Sequence, residues 1–165
     1  MTTTDTAADY STLKLDVPEG VQTVSITRDF AASPDKVFRA HIDPELFVKW
    51  CGPDSITNTI REWNATTGGN WSYVSSDDRG EYAFFGSFHE VRENERIVQT
   101  FTYEGFPDGV NLEILTLTDL GDGRTRLMST SIFDSVESRD GMVASGMEHG
   151  IVEGYNKLDR LLSEA

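Results

Sequence analysis

The sequence predicts an α+β fold in which a strongly curved, seven-stranded antiparallel sheet surrounds one long C-terminal helix. One β-rich segment near the N-terminus is followed by two short helical segments and then by six further β-rich segments. Short turn signals separate those six segments, which is typical of an antiparallel meander. The end of the chain instead carries apolar side chains at helical spacing. Because the sheet and the helix must each bury an apolar face, we expect the helix to cover the concave face of the sheet.

The first strand and the two short helices are predicted from local signals. Residues 21–30 alternate in polarity and are rich in β-forming side chains, which predicts a strand. Ser33-Pro34 then supplies an N-cap and a proline at the first helical position, so a short helix should begin there. Asp43-Pro44 repeats the signal for a second short helix, which Gly52-Pro53 should end.

Six more strands are predicted in the middle of the chain. They are rich in β-branched and aromatic residues, and Gly, Asp, Asn or Pro residues, which favour turns, lie between them. The turns are short enough that consecutive strands should pair as hairpins. The predicted strands span residues 56–64, 70–75, 81–92, 96–104, 110–119 and 124–133.

The closing helix is predicted from about residue 137 to residue 163, although it contains Gly146, Gly150 and Gly154. A glycine inside a helix costs about 1 kcal/mol relative to alanine. Because residues four apart share one face of a helix, these glycines would form a stripe without side chains. We therefore predict that Gly146 and Gly150 face the sheet or a cavity, where another part of the chain comes close to the helix.

Composition indicates one globular domain. The chain has 165 residues, of which 38% are hydrophobic, so it can bury a sizeable core. Residues 1–19 are rich in Thr, Asp and Ala and are predicted to be a flexible tail that is not a signal peptide, and residues 20–165 are predicted to form the domain. The lone Cys51 excludes an internal disulfide and fits a reducing compartment, so a cytoplasmic location is expected.

The net charge limits the classes of partner. The sequence has 14 basic and 28 acidic residues, which gives a formal net charge of −14. A field of this sign repels phosphate backbones and anionic lipid surfaces. No apolar run approaches the length of a membrane span. We therefore expect neither a nucleic acid nor a membrane as a partner.

No catalytic or metal-binding pattern is present in the sequence. His41, His89 and His149 are far from one another and lack a metal-ligand spacing, so each is interpreted as a surface histidine. Cys51 lies between predicted elements and is expected to be partly buried and unreactive. No combination of acid, base and nucleophile is recognisable, so we expect no cofactor, no metal and no catalytic residues.

Alternating aromatic residues predict the inner face of the sheet, and the apolar face of the helix should lie opposite. A filled core and a ligand cavity both remain open, because aromatic residues at strand spacing are common in either. The glycines of the helix and two serines on an otherwise apolar strand favour some empty space. The candidate ligand-binding residues are Trp71, Tyr73, Phe88, Phe101, Tyr103, Leu115, Ser129, Ser131, Met147 and Ile151.

Four groups of short motifs occur in an order that resembles a known family. They are FAASPDKVFRA (30–40) with DPEL (43–46) and KWCGP (49–53), GGNW (68–71), GSFHEV (86–91) with ERI (95–97), and SGMEHG (145–150) with LDRL (158–161). In these segments the chain resembles the START-like helix-grip superfamily, and within it the homologues of the activator of the heat-shock-protein-90 ATPase. The resemblance covers about residues 21–163 and implies a helix-grip fold that encloses a cavity.

Three functions follow from the residues and the resemblance together. The first is binding of a hydrophobic or amphipathic small molecule between sheet and helix, with no chemistry performed on it. The second, implied by the family, is a co-chaperone-like role in the stress response through contact with a chaperone. The third is a cyclase-like or hydrolase-like enzyme on the same fold, which the missing acid–base set disfavours.

Overall fold

The computed structural model describes residues 10–164, which form one antiparallel sheet of eight strands and four helices. The predicted α+β helix-grip class is confirmed. The elements are β1 (Lys14–Asp16), β2 (Thr23–Phe30), α1 (Pro34–Ile42), α2 (Pro44–Trp50), β3 (Thr57–Trp63), β4 (Asn70–Asp77), β5 (Gly80–Arg92), β6 (Arg96–Tyr103), β7 (Asn111–Gly121), β8 (Arg124–Ile132), α3 (Val136–Ala144) and α4 (Met147–Ser163).

The strands lie in the order β1-β2-β8-β7-β6-β5-β4-β3, and every neighbouring pair is antiparallel. The meander from β3 to β8 therefore matches the predicted hairpins, and their bounds differ from the predicted ones by one or two residues. Such small differences are expected because element ends depend on local hydrogen bonding. β2 joins the far edge of the meander by pairing with β8, which leaves α1 and α2 at one end of the sheet.

The sheet contains one strand more than the seven predicted, and it lies inside the predicted tail of residues 1–19. β1 pairs with β2, with Leu15 opposite Ile26. Ahead of it, the Asp29 amide donates to the Tyr10 carbonyl over 2.7 Å. The edge of β2 offers unpaired backbone groups, and Leu13 and Leu15 pack on the core, so this short segment gains both hydrogen bonds and burial. Residues 1–9 of the predicted tail lie outside the described residues.

The prediction of one helix from 137 to 163 was wrong, because α3 and α4 are separate helices. Gly146 has a φ of 89°, a left-handed conformation that cannot continue a helix. It follows the C-cap Ser145, and its amide donates to the Val143 carbonyl over 3.3 Å. A glycine at this position commonly ends a helix. The prediction that Gly146 faces the sheet or a cavity was also wrong, since the residue is exposed with open space around its Cα.

The other two glycines of the predicted stripe do lie at close contacts. A Cβ at Gly154 would stand 3.1 Å from the Trp50 carbonyl oxygen and 3.2 Å from the Gly52 amide nitrogen. Gly150 faces the cavity described below, as predicted, and a Cβ there would lie 3.4 Å from Pro53 Cδ. The missing side chains thus bring α4 against the end of α2, whereas the sequence predicted that the glycine stripe faces the sheet or a cavity.

Two alanine substitutions test the helix break. Gly146→Ala should lower the free energy of unfolding by about 1–2 kcal/mol, because an L-residue is strained in the left-handed region. Gly141→Ala, inside α3 with no atom near its Cβ position, should raise it by about 0.5–1 kcal/mol through the better helix propensity of alanine. Urea denaturation of both variants measures the two effects. Stabilisation by both substitutions would contradict a break at Gly146.

Two indole hydrogen bonds hold α1 and α2 at the open end of the sheet. Trp50 Nε1 donates to the Ala40 carbonyl over 2.8 Å, and Trp63 Nε1 donates to the Ile42 carbonyl over 2.7 Å. The first bond joins α2 to α1, and the second joins β3 to the end of α1, so the two helices are held to each other and to the sheet. Within residues 10–164, none of the helices combines the length and the apolar character that a membrane span requires.

Candidate ligand-binding cavity

A cavity of about 350 Å³ lies between the concave face of the sheet and the helices α1, α2, α3 and α4. Aromatic side chains line the cavity on the side of the sheet, and Gly150, which has no side chain, lines it on the side of α4. Its apolar and aromatic lining consists of Ile26, Phe47, Trp50, Trp71, Tyr73, Phe88, Ile97, Phe101, Leu115, Phe133, Met142, Met147, Ile151 and Tyr155. The polar side chains that line it are His41, Cys51, Gln99, Asn111, Glu113, Ser129 and Ser131.

The structure brings all but one of the candidate residues together around this cavity. The exception is Tyr103, which does not line the cavity although Phe101, two residues earlier on β6, does. Its ring packs on Phe84 with centroids 5.4 Å apart, near the end of the strand. Strand alternation correctly gives the face of Tyr103, but the face extends beyond the cavity. The residues that do line the cavity are Trp71, Tyr73, Phe88, Phe101, Leu115, Ser129, Ser131, Met147 and Ile151.

Stacked aromatic rings form one wall of the cavity. The Trp71 ring lies 5.6 Å from the Tyr73 ring and 5.6 Å from the Phe101 ring, measured between centroids. Trp71 can approach β5 this closely because residue 86 is a glycine, whose missing Cβ would stand 2.7 Å from Trp71 Cζ2. Rings in contact over this range attract one another and restrict each other's motion, so the wall is preformed.

A row of polar side chains crosses the sheet at the floor of the cavity. Glu113 on β7 pairs with Gln99 on β6 and with Ser131 on β8, so the three side chains lie side by side on one face. The sequence interpretation missed Glu113 and Gln99. Glu113 comes two residues before Leu115, which was predicted to face inward, so strand alternation alone would have placed it there.

Glu113 is the carboxyl group of this row. Burial raises its pKa from 4.5 to about 7, and a hydrogen bond from Gln99 acts in the opposite direction. Removal from water disfavours the charged form, and the hydrogen bond offsets only part of that cost. Glu113 is therefore divided between its acid and its carboxylate near neutral pH. A single added positive charge in the cavity would shift it to the carboxylate.

A second polar group in the cavity joins Cys51 and Tyr73. The Cys51 sulfur lies 3.6 Å from the Tyr73 hydroxyl oxygen. Burial raises the pKa of the Cys51 thiol to about 11, and burial also raises the pKa of Tyr73. Both groups are therefore neutral near pH 7, and the thiol has little of the thiolate character that a nucleophile needs. Cys51 is half-buried, as predicted.

His41 was predicted to lie on the surface, but it lines the cavity. Its Nδ1 donates to the Val37 carbonyl over 2.7 Å, and its ring contacts Trp50 with centroids 4.8 Å apart. Burial lowers its pKa to about 4, so the ring is neutral. The buried Nε2 atom has no hydrogen-bond partner among the described residues, and neither does the indole nitrogen of Trp71. His89 and His149 are exposed, as predicted.

The cavity offers packing surface and a few hydrogen-bonding groups. Burial keeps its thiol and phenols protonated near pH 7, so none of the described side chains that line it is a thiolate or phenolate nucleophile. Across residues 10–164, His, Cys, Asp and Glu side chains form no cluster of three or more that could hold a metal ion. The unpartnered nitrogen atoms of His41 and Trp71 are one acceptor and one donor that a bound molecule could satisfy.

A model of the family described as "Activator of Hsp90 ATPase homolog 1-like protein" matches residues 31–163. The chain belongs to this family. The resemblance found in the short motifs is thereby confirmed. Membership of the activator of Hsp90 ATPase homologue 1-like family supports a ligand-binding or co-chaperone-like role at the level of the family. No curated protein matches the chain.

Solved bacterial structures share the fold of this family member. A protein from Arthrobacter aurescens is 26% identical, with a TM-score of 0.84 and 92% of each chain covered. Protein Ms6760 from Mycobacterium smegmatis is 25% identical, with a TM-score of 0.81, covering 90% of this chain and 95% of that one. A Rhodobacter sphaeroides protein is 23% identical, with a TM-score of 0.84, and the match covers 93% of this chain and 100% of that one. These similarities support the helix-grip architecture over nearly the whole chain.

Proposed function

We propose that the protein binds a hydrophobic or amphipathic small molecule in the cavity and performs no chemistry on it. The cavity itself is the observation that carries this proposal. Its volume of about 350 Å³ lies at the lower end of the range of small-molecule sites. Such sites combine an apolar, largely preformed wall with a few fixed polar groups, and the aromatic wall and polar row of this cavity have that composition.

Contact with the apolar wall would supply most of the affinity. Burial of apolar surface contributes about 25 cal/mol per Å² before the costs of binding are subtracted. The polar row would mainly select among ligands, because a ligand that leaves Glu113 or Ser131 without a partner in the complex forfeits that hydrogen bond. The raised pKa of the Cys51 thiol favours binding over nucleophilic catalysis.

A co-chaperone-like role is the second candidate, and the family description is the observation that favours it. The two candidates require different surfaces. A ligand needs the interior of the cavity, whereas a chaperone would contact the outside of the domain. Variants inside and outside the cavity therefore separate them.

The expected result for the first candidate is saturable binding of a neutral apolar probe such as phenylbutanol. Thermal shift and tryptophan fluorescence report it, because Trp50 and Trp71 line the cavity. Phe101→Ala should weaken the affinity by roughly tenfold, since it removes buried contact area from the wall. Gly150→Leu should abolish binding, because its side chain would occupy the space opposite the sheet.

Phe85→Ala is the matched control, because Phe85 is a phenylalanine on the outer side of β5 with an exposed fraction of 42%. It should bind the probe as the wild type does. The ligand-binding proposal would be wrong if no neutral apolar probe binds the protein. If the protein also stimulates a purified Hsp90 ATPase, the co-chaperone role replaces it.

A further inference from the structure

We propose that the ligand of this cavity carries a protonated amine on an apolar body, and that the Glu113 carboxylate receives the amine. This inference rests on the proposed function, because it names the class of ligand for the same cavity. It makes the protein a receptor for amphipathic amines and disfavours fatty acids and other carboxylates.

The charges around the cavity are the first argument. Glu113 is the one acidic side chain in the lining of the described structure, and the lining contains neither lysine nor arginine. The other titratable side chains there, such as His41 and Cys51, are neutral near pH 7. A carboxylate without a cation inside a cavity is costly, and an incoming cation offsets that cost.

The two nearby basic side chains bond to groups outside the cavity, although the buried Arg28 Nε has no hydrogen-bond partner among the described residues. The Arg28 guanidinium donates to Asn156 Oδ1 over 3.2 Å and lies 3.8 Å from the Asp159 carboxylate. Lys157 Nζ donates to the Pro53 carbonyl over 3.1 Å. Neither Arg28 nor Lys157 lines the cavity, so neither forms a direct ion pair with a carboxylate ligand inside it.

The hydrogen-bonding groups beside Glu113 are the second argument. An ammonium group has three donors and no acceptor, so it needs several acceptor oxygens close together. The amide of Gln99 donates to Glu113, which leaves the Gln99 carbonyl oxygen as an acceptor. Ser131 pairs with Glu113 on the other side and adds a hydroxyl oxygen. The row therefore collects carboxylate, amide and hydroxyl oxygens on adjacent strands.

The aromatic wall suits the same ligand. Trp71, Tyr73 and Phe101 line the cavity, and aromatic faces attract cations, most strongly when water is excluded. At long range, the net charge of −14 draws cations toward the protein and repels anions. A carboxylate ligand would be repelled by the aromatic faces, by the net negative charge of the protein and by the Glu113 carboxylate.

The pH dependence of amine binding follows from the same groups. Glu113 must be ionised to pair with an ammonium, and its pKa is about 7. The affinity for an amine should therefore rise about tenfold from pH 6 to pH 8. The titratable side chains that face Glu113 from the other elements do not titrate in this interval. Burial lowers the pKa of His41 to about 4, raises that of Cys51 to about 11, and raises those of Tyr73 and Tyr155 further.

A matched set of three probes tests the inference. Phenylbutylamine, phenylbutanol and phenylbutyrate share one apolar body and differ in the head group, which is cationic, neutral or anionic. Titration calorimetry with the full chain at about pH 8 should give the highest affinity for the amine, roughly tenfold or more above the alcohol, and the lowest affinity for the carboxylate. The affinity of the amine, and not that of the alcohol, should fall at about pH 6.

Glu113→Gln should bring the affinities of the amine and the alcohol together, because it keeps the shape of the side chain and removes its charge. Glu81→Gln is the matched control, since Glu81 is an exposed carboxylate on β5 and does not line the cavity. It should keep the preference for the amine.

The outcomes separate the two proposals. Binding of the alcohol with no preference for the amine, or an amine preference that survives Glu113→Gln, overturns the amine inference and leaves the ligand-binding function standing. Tightest binding by phenylbutyrate does the same. Failure of all three probes to bind overturns both proposals.

Discussion

Replacing Glu113 with glutamine should stabilise the protein in alkaline solution and change its stability little in acid. Burial raises the pKa of this carboxyl from 4.5 to about 7 in the folded state. Below about pH 4.5 both the folded and the unfolded chain hold the proton, so ionisation costs nothing. Between about pH 4.5 and about pH 7 the folded state loses stability, because the unfolded chain releases this proton while the folded chain still holds it, and above about pH 7 the loss is complete.

The size of this effect follows from the shift. Each pKa unit corresponds to about 1.4 kcal/mol, so the shift from 4.5 to about 7 costs the folded state about 3 kcal/mol at high pH. Glutamine cannot ionise and does not bear this cost. The free energy of unfolding of Glu113→Gln should therefore exceed that of the wild type by about 3 kcal/mol at about pH 9, with a difference near zero at about pH 4.

Urea denaturation of the wild type and of Glu113→Gln across this pH range measures the difference between their free energies of unfolding. The other carboxylates are the same in both proteins, so their contributions cancel in this difference. Glu81→Gln serves as the control and should show a small difference at every pH, because that side chain is exposed. If the free energies of unfolding of Glu113→Gln and the wild type differed by the same amount at every pH, Glu113 would ionise like an exposed carboxylate. Water would then reach the floor of the cavity.

Gly86→Ala should destabilise the protein by about 3 kcal/mol or more, at or beyond the upper end of what overpacking usually costs. The added Cβ would stand 1.9 Å from the Thr100 carbonyl oxygen on β6 and 2.7 Å from Trp71 Cζ2. The carbonyl belongs to the sheet backbone and cannot turn away as the end of a flexible side chain can. β5 and β6 must separate locally, and the Trp71 ring must leave its place in the cavity wall.

Urea denaturation gives the stability of Gly86→Ala, and tryptophan emission reports the environment of Trp71. The matched control is Ser87→Ala, the next residue on β5, whose side chain points to the exposed side. It should lower the free energy of unfolding by no more than about 1 kcal/mol, because it removes only the exposed hydrogen bond that Ser87 Oγ donates to Asn70 Oδ1 over 2.9 Å. Wild-type stability and unchanged emission in Gly86→Ala would show that β5 and β6 are not in close contact at this point.

The sequence by itself determined the order of elements from β2 to β8 and the apolar face of α4. These features depend on short-range patterns: strand alternation, turn residues between strands, and proline after an N-cap at α1 and α2. Alternation also identified part of the cavity wall, including Trp71 and Phe101, because every second residue of a strand shares a face. The extent of that face was not determined, which is why Tyr103 was a candidate although it does not line the cavity.

Only the tertiary structure decided the features that depend on distant neighbours. β1 forms because β2 presents an open edge, and Gly146 ends α3 because its backbone is left-handed, although its spacing also fits a helical stripe. The properties of Glu113 and His41 likewise come from what surrounds them. A carboxyl on a strand is usually solvated, and this one changes its pKa because β6, β8 and the helices remove water from it. Burial and electrostatics are sums over residues far apart in the chain, so the chemistry of the cavity appears only once the chain is folded.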